Sequence, residues 1–296
     1  MRIVLFGYGE MGCIGLEFLL AQKEEIAAVI THRDDPKEKQ WYRSLAQVAT
    51  KASVPVRFSD DLDKDALHAA VEELKPELIL SLYYRHMIPM KVLGLAPKGA
   101  LNLHGSLLPR LRGRAPINWA LVECEEKCGV TLHHMVKGPD EGDVVAQRGW
   151  PIGPRDTAKD LFFRAVDEAK LLLKETWPKI RTGTAPRIPQ DPSKATYRGR
   201  RTPEDGRIDW SLPTKRIDGL VRAVTDPFPG AFTTLGGRKL MVWAGSPAPG
   251  KGAPGLLIDD NLVATGDGAW RIENWNLADS GERPALRKGT QLGEPQ

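Results

Sequence analysis

Cysteine is scarce: three in 296 residues, an odd number that builds no disulfide framework. Cys124 and Cys128 could share one side of a helix, but two thiols without nearby partners make a poor zinc site, so no metal is expected. The thiols are read as inert and reduced, and the protein as cytoplasmic. No apolar run reaches membrane-spanning length. The first residues, Met1 to Gly7, lack the apolar core and small-residue cleavage site of a secretory signal. They read as a buried strand. No long Lys/Arg tract or basic helix is present. The net charge of +4 therefore fits a phosphate-bearing ligand rather than nucleic acid. No internal repeat is visible. Ser106 stands in no G-x-S-x-G elbow, so it is no obvious nucleophile.

What remains is a soluble globular composition, 41% hydrophobic and 27% charged. Strand-like and helix-like segments alternate. Strands are expected at Arg2 to Gly7, Glu25 to Thr31, Leu78 to Leu82, Ala100 to His104, Val130 to Val136 and Val144 to Trp150. Helices are expected at Glu10 to Gln22, Trp41 to Ala52, Asp63 to Leu74, from Pro116, and from Asp156 or Thr157 to about Ile180. This alternation predicts an α/β fold with a mainly parallel sheet and helices on both faces. Arg181 to Gly206 is rich in Pro, Arg, Gly and Thr and reads as a linker. Short strands follow, with Gly236-Gly237 as a hairpin turn, and predict a small β-rich, barrel-like domain. The tail after Leu277 reads as polar and loose. The domain boundaries are set at 1–190, 191–206 for the linker, and 207–296.

Gly7-Tyr8-Gly9-Glu10-Met11-Gly12 fits G-x-G-x-x-G at the junction of the first strand and helix. Glu10 would oppose a pyrophosphate there, and no acid stands at the tip of the second strand for a ribose. The glycines are read as a tight turn, with a nicotinamide dehydrogenase kept as a rival.

The chemistry concentrates at Asn102-Leu103-His104-Gly105-Ser106-Leu107-Leu108-Pro109. Residues two apart on a strand share a face, so an amide and an imidazole stand about 7 Å apart at a strand's C-terminal end. Asp140 lies in the loop Lys137-Gly138-Pro139-Asp140-Glu141-Gly142-Asp143. If the strands at 100–104 and 130–136 run parallel and close, Asp140 meets His104. A carboxylate orients an imidazole and favours its protonated form, and an amide can donate to an oxygen gaining charge. That set suits acyl transfer to a nucleophile supplied by the substrate, such as an amine. Arg110, Arg112 and Arg114 are either ligand-binding or solvated. Tyr83 and Tyr84 either hold a flat heterocycle or pack in the core.

The run from Asn102 to Pro109, with Arg112-Gly113 and Ala115-Pro116, resembles the signature of formyltransferases that use 10-formyltetrahydrofolate. Gly138 to Gly142 is similar to that family's second catalytic loop. Gly206-Arg207-Ile208-Asp209-Trp210 and Asp226-Pro227-Phe228-Pro229-Gly230 resemble the entry to its C-terminal domain. The resemblance implies a Rossmann-like catalytic domain and an OB-like C-terminal one. It implies 10-formyltetrahydrofolate as co-substrate and Asn102, His104 and Asp140 as catalytic residues. His86, Met87, Ile88, Arg114, Val136, Lys137, Gly138, Pro139 and Asp140 are then expected at the folate. Arg114 and Tyr83-Tyr84-Arg85-His86 are similar to the branch acting on nucleotide-linked amino sugars. Within that branch the likeness is to the formyltransferase portion of bifunctional enzymes for UDP-4-amino-4-deoxy-L-arabinose. The chain ends at Gln296 without the second enzymatic domain of those enzymes, as a free-standing relative or a fragment would. The expected partners are folate and an amino sugar, with no membrane and no nucleic acid. Methionyl-tRNA formyltransferase is the alternative, and a non-catalytic folate or nucleotide-binding module is a further rival.

Overall fold

Runs of branched apolar residues make the central strands. In the computed structural model, which describes residues 1–36 and 39–293, β1 (Arg2–Gly7) is followed by α1 (Gly9–Ala21), β2 (Glu25–Thr31), α2 (Leu45–Lys51) and β3 (Val56–Phe58). Next come α3 (Lys64–Glu72), β4 (Leu78–Leu82), α4 (Met90–Leu93), β5 (Ala100–His104), β6 (Arg112–Gly113) and α5 (Pro116–Val122). Then follow β7 (Lys127–His134), β8 (Val144–Pro151), α6 (Ala158–Thr182), β9 (Tyr197–Arg198) and α7 (Thr214–Val224). The chain closes with β10 (Ala231–Leu235), β11 (Arg238–Ala248), β12 (Leu257–Asp259), β13 (Leu262–Ala264) and β14 (Ala269–Leu277).

Two compact units result. The first comprises residues 1–113, 129–150 and 163–198; the second comprises 114–128, 151–162 and 199–296. The first holds a seven-stranded sheet in the order β3-β2-β1-β4-β5-β7-β8. Strands β3 to β5 pair in parallel. Val4, Phe6, Ala28, Ile30 and Ile79 from the sheet pack with Val71, Val92 and Leu93 from α3 and α4. Each of these side chains larger than alanine contributes about 1.5–3 kcal/mol on burial. Asp63 starts α3 by accepting from the backbone N–H of Asp65 and Ala66 at 2.9 and 2.8 Å. Ser44 caps α2, so that helix begins later than the expected Trp41.

The glycine loop is filled by protein. Gly9 has φ +55, and a Cβ on it would lie 2.9 Å from the Tyr42 ring; one on Gly12 would lie 2.6 Å from Leu45. Arg43 closes on Glu10 at 2.7 Å, so the start of α1 already holds a carboxylate and its counter-ion. The tight-turn reading follows from this packing.

The second unit holds an antiparallel sheet in the order β10-β11-β14-β13-β12. Helix α7 buries Ile217, Leu220, Val221 and Val224. The fully buried Trp270 donates its indole N–H to Asp218, 3.2 Å away. The tail after Leu277 is docked rather than loose. Leu286 and Leu292 are buried, and Leu257 N–H bonds the Thr290 carbonyl at 2.9 Å. Those two leucines are the apolar anchors that its polar composition concealed; residues 294–296 lie outside the described residues. The stretch read as a linker is also tied down over 188–198. Ile188 and Val144 exchange backbone hydrogen bonds of 3.0 and 2.8 Å, and β9 pairs with β6.

Candidate active site

Asn102 and His104 sit on β5 with side chains on one face, as period two requires. The neighbouring strand β7 runs antiparallel, with His133 opposite Asn102 and Thr131 opposite His104. This corrects the expected parallel direction. Helix α5, which a parallel crossover would have laid on this sheet, belongs to the second unit and packs on α7 there. Strand β7 therefore ends beside Leu101, and the following loop folds back along β5. The loop closes on itself where His134 N–H meets the Asp143 carbonyl at 2.9 Å.

Asp140 occupies the turn of that loop with φ +56, a left-handed conformation that Asp tolerates better than most residues. Its side chain is 12% exposed. One carboxylate oxygen, Oδ1, faces Asn102 Nδ2 and His133 Nε2, each at 3.4 Å. The other, Oδ2, faces His104 Nδ1 at 3.5 Å and accepts the Gly113 N–H at 2.8 Å. Asn102 Nδ2 also lies 3.1 Å from His133 Nε2. The three residues expected to converge from distant parts of the chain do converge. Their separations lie at the long end of hydrogen bonding.

His104 is buried, and its Nε2 lies 2.8 Å from the Leu111 carbonyl. A carbonyl only accepts, so Nε2 carries the hydrogen and Nδ1, facing Asp140, holds the basic lone pair. Burial pushes the His104 imidazole below its ordinary range, against the pull of Asp140 and the Leu111 carbonyl. Burial alone would raise the Asp140 carboxyl. His104, His133 and the Gly113 N–H outweigh it and hold the group down at about 2. The two directions belong to different pH ranges. Near neutrality a neutral imidazole faces a carboxylate, and in acid the imidazolium keeps that carboxylate ionised.

A second set of groups fixes the loop. Gln190 donates to the carbonyls of Asp140 and Gly142 at 2.8 and 2.7 Å. Its own carbonyl accepts from Arg112 at 2.7 Å. Arg112 is buried and also donates to the Tyr197 hydroxyl at 2.6 Å. Arg112 is therefore a structural brace, not the ligand-facing arginine that its alternating pattern allowed. Gly113 has φ +99, and a Cβ there would lie 2.3 Å from the Arg198 carbonyl oxygen. Only glycine brings this N–H to Asp140. Ser106 spends its hydroxyl on the Arg110 carbonyl at 2.6 Å, holding the turn after β5.

A formyl transferase model matches residues 1–176. The chain belongs to the formyl transferase family. The C-terminal domain model of the same family matches residues 200–285. WlaRD, a sugar 3N-formyl transferase solved with dTDP and 5-N-formyl-THF, superposes with a TM-score of 0.73 at 19% identity, covering 95% of this chain and 98% of WlaRD. An N-formyltransferase from Helicobacter canadensis, solved with folinic acid and dTDP-3-aminofucose, gives 0.72 at 18% identity, covering 97% and 99%. HypX from Aquifex aeolicus with tetrahydrofolic acid gives 0.61 at 21% identity over 93% of this chain, which spans only 44% of HypX.

In this formyl transferase the remaining expected residues are placed as follows. Ile88 is 4% exposed and belongs to the sheet core, so only its backbone can meet a ligand. Met87 and Val136 are 61% and 38% exposed. Ile88 and Met135 pack in one cluster, so segments 86–88 and 136–140 rise from a common apolar base. Lys137 and Pro139 are exposed and Gly138 is half-buried. Arg114 is exposed and belongs to the second unit. Tyr84 packs edge-on to Phe6 and stacks on His32 at 4.6 Å between ring centroids; its role is packing. His86 meets His32 edge-on at 4.5 Å. His32, whose imidazole burial pushes down, accepts the Arg85 N–H on Nε2 and faces Asp60 with Nδ1.

Sequence reasoning missed His133, Gln190 and the Gly113 N–H. A signal existed for His133: Thr131 and His133 alternate with apolar residues on β7 and so stand opposite His104 and Asn102 in an antiparallel register. Nothing local distinguishes Gln190 from a solvated glutamine. Among the described residues no cluster of His, Cys, Asp or Glu can hold a metal, and no helix is long and apolar enough to cross a membrane.

Proposed function

We propose that this protein transfers the formyl group of 10-formyltetrahydrofolate to the amine of a nucleotide-linked amino sugar. UDP-4-amino-4-deoxy-L-arabinose is the substrate we favour. The observation that carries the reading is the convergence of Asn102, His104 and Asp140 in one formyl transferase unit. One solved relative is a sugar 3N-formyl transferase with dTDP, another an N-formyltransferase with dTDP-3-aminofucose, and three hold folates, which supports the substrate classes. Arg114 and the Tyr83 to His86 segment support the sugar branch over tRNA.

The residues around the site suit a folate. Met87 and Val136 offer exposed apolar surface, while Ile88 and Met135 anchor both segments beneath. When bound, the folate supplies a formyl carbon bonded to nitrogen. As the sugar amine bonds to that carbon, His104 Nδ1 receives a proton from the amine. Asp140 stabilises the resulting imidazolium across 3.5 Å. His104 then returns the proton to the folate nitrogen as the carbon–nitrogen bond breaks, leaving a formamide and tetrahydrofolate. Asn102 is the donor to the formyl oxygen as it gains charge.

The test is a panel of UDP- and dTDP-linked amino sugars, plus initiator tRNA, incubated with 10-formyltetrahydrofolate and read by mass. Gain of one formyl group on UDP-4-amino-4-deoxy-L-arabinose is expected. Formylation of tRNA alone overturns the sugar reading.

A further inference from the structure

We infer that His133 is a positioning residue whose protonation turns the Asn102 carboxamide toward the reacting carbonyl. The inference rests on the formyl-transfer reading for its kinetic consequence, but its structural half stands alone. His133 is 2% exposed, and its Nδ1 lies 2.8 Å from the His134 carbonyl. Nδ1 must therefore carry a hydrogen. In neutral His133 the other nitrogen, Nε2, is then a lone pair. It draws an N–H from Asn102 Nδ2 at 3.1 Å, and the second N–H of that amide faces Asp140 Oδ1 at 3.4 Å. Both amide hydrogens are spent inside the cluster, and the amide oxygen is what Asn102 has left to present. An oxygen repels a developing oxyanion.

A protonated His133 reverses the polarity of its contact with Asn102. Nε2–H now opposes an N–H, and the amide rotates by half a turn so that Asn102 Oδ1 accepts. Nε2–H is shared between that oxygen and Asp140 Oδ1, 3.4 Å away. The NH2 group moves to the open side, where a formyl oxygen can accept from it. The charged groups that face His133 are Asp140 on Nε2 and His104 across the same carboxylate. His134 follows on the strand, with Arg187 3.2 Å from its own Nδ1. The active form thus pairs charged His133 with neutral His104, one on each oxygen of Asp140.

The direct test is NMR of isotope-labelled resting protein, following the His133 ring nitrogens and the Asn102 side-chain NH2 together across pH. The Asn102 resonances are expected to move together with the His133 ring nitrogens and to stay still in His133→Gln, whose amide donates at every pH. Asn102 resonances that ignore His133 overturn the inference. Kinetics give the second readout. Wild-type turnover is expected to show an alkaline limb that His133→Gln lacks. His133→Phe, which cannot donate, loses at least about 100-fold. A His133→Gln profile that keeps the wild-type limb also overturns it. If no amino sugar is formylated, coupled resonances still sustain the positioning role while the substrate reading fails.

Discussion

Replacing Asp140 by Asn tests the site most sharply, because it removes one charge and almost no volume. The carboxylate lies 3.5 Å from His104 Nδ1, and both side chains are nearly buried. At about 4 Å and an effective dielectric near 20, such a pair interacts by about 4 kcal/mol. That energy acts only while His104 is charged, so it lowers the barrier of the proton-transfer step and does not act in the ground-state complex, where the imidazole is neutral. Full development of the imidazolium in the transition state makes the loss about 1,000-fold, and half development makes it about 30-fold. The assay is single-turnover formylation read by mass, with enzyme in excess over amino sugar. A variant whose turnover stays within about threefold of wild type at every pH refutes the electrostatic argument. The same substitution has a stability signature. The folded carboxyl is held at about 2, below its unfolded value near 3.9. Its stabilisation is therefore fully present above about pH 4 and is lost as pH falls through about 2, amounting to about 2–3 kcal/mol. Acid denaturation of Asp140→Asn lacks that component.

Asn102→Ala removes the donor to the formyl oxygen and is expected to lower turnover by about 100- to 1,000-fold, with sugar binding by calorimetry little changed. Near-normal turnover removes Asn102 from the mechanism. Gln190→Ala unpairs two loop carbonyls and Arg112, so it is expected to cost about 1–3 kcal/mol in thermal unfolding and to raise the folate KM more than it lowers kcat. Equal melting curves contradict the brace. Gly113→Ala forces a Cβ against the Arg198 carbonyl at φ +99 and is expected to cost about 2 kcal/mol or more while slowing turnover. A stable, fully active Gly113→Ala refutes the argument. Addition of NADH to the wild type is expected to leave its fluorescence unchanged, because Tyr42, Leu45 and Arg43 fill the glycine loop.

Much of the first unit was legible along the chain because its signals are local. Apolar runs marked β1, β2 and β4, and period-two alternation placed Asn102 beside His104 on β5. The turn chemistry of Gly236-Gly237 marked the β10–β11 hairpin for the same reason. Only tertiary structure decided the direction of β7, because direction depends on where the connecting helix packs rather than on the strand's own residues. That direction put His133 opposite Asn102 and made the 135–143 loop fold back to carry Asp140 to His104. Arg112 and Gln190 look the same in a sequence whether solvated or buried, since a polar side chain's role is set by partners about 80 residues away. Local pattern determines which faces are apolar and which residues share them; the meeting of distant polar groups is settled by long-range packing, which no short window of sequence contains.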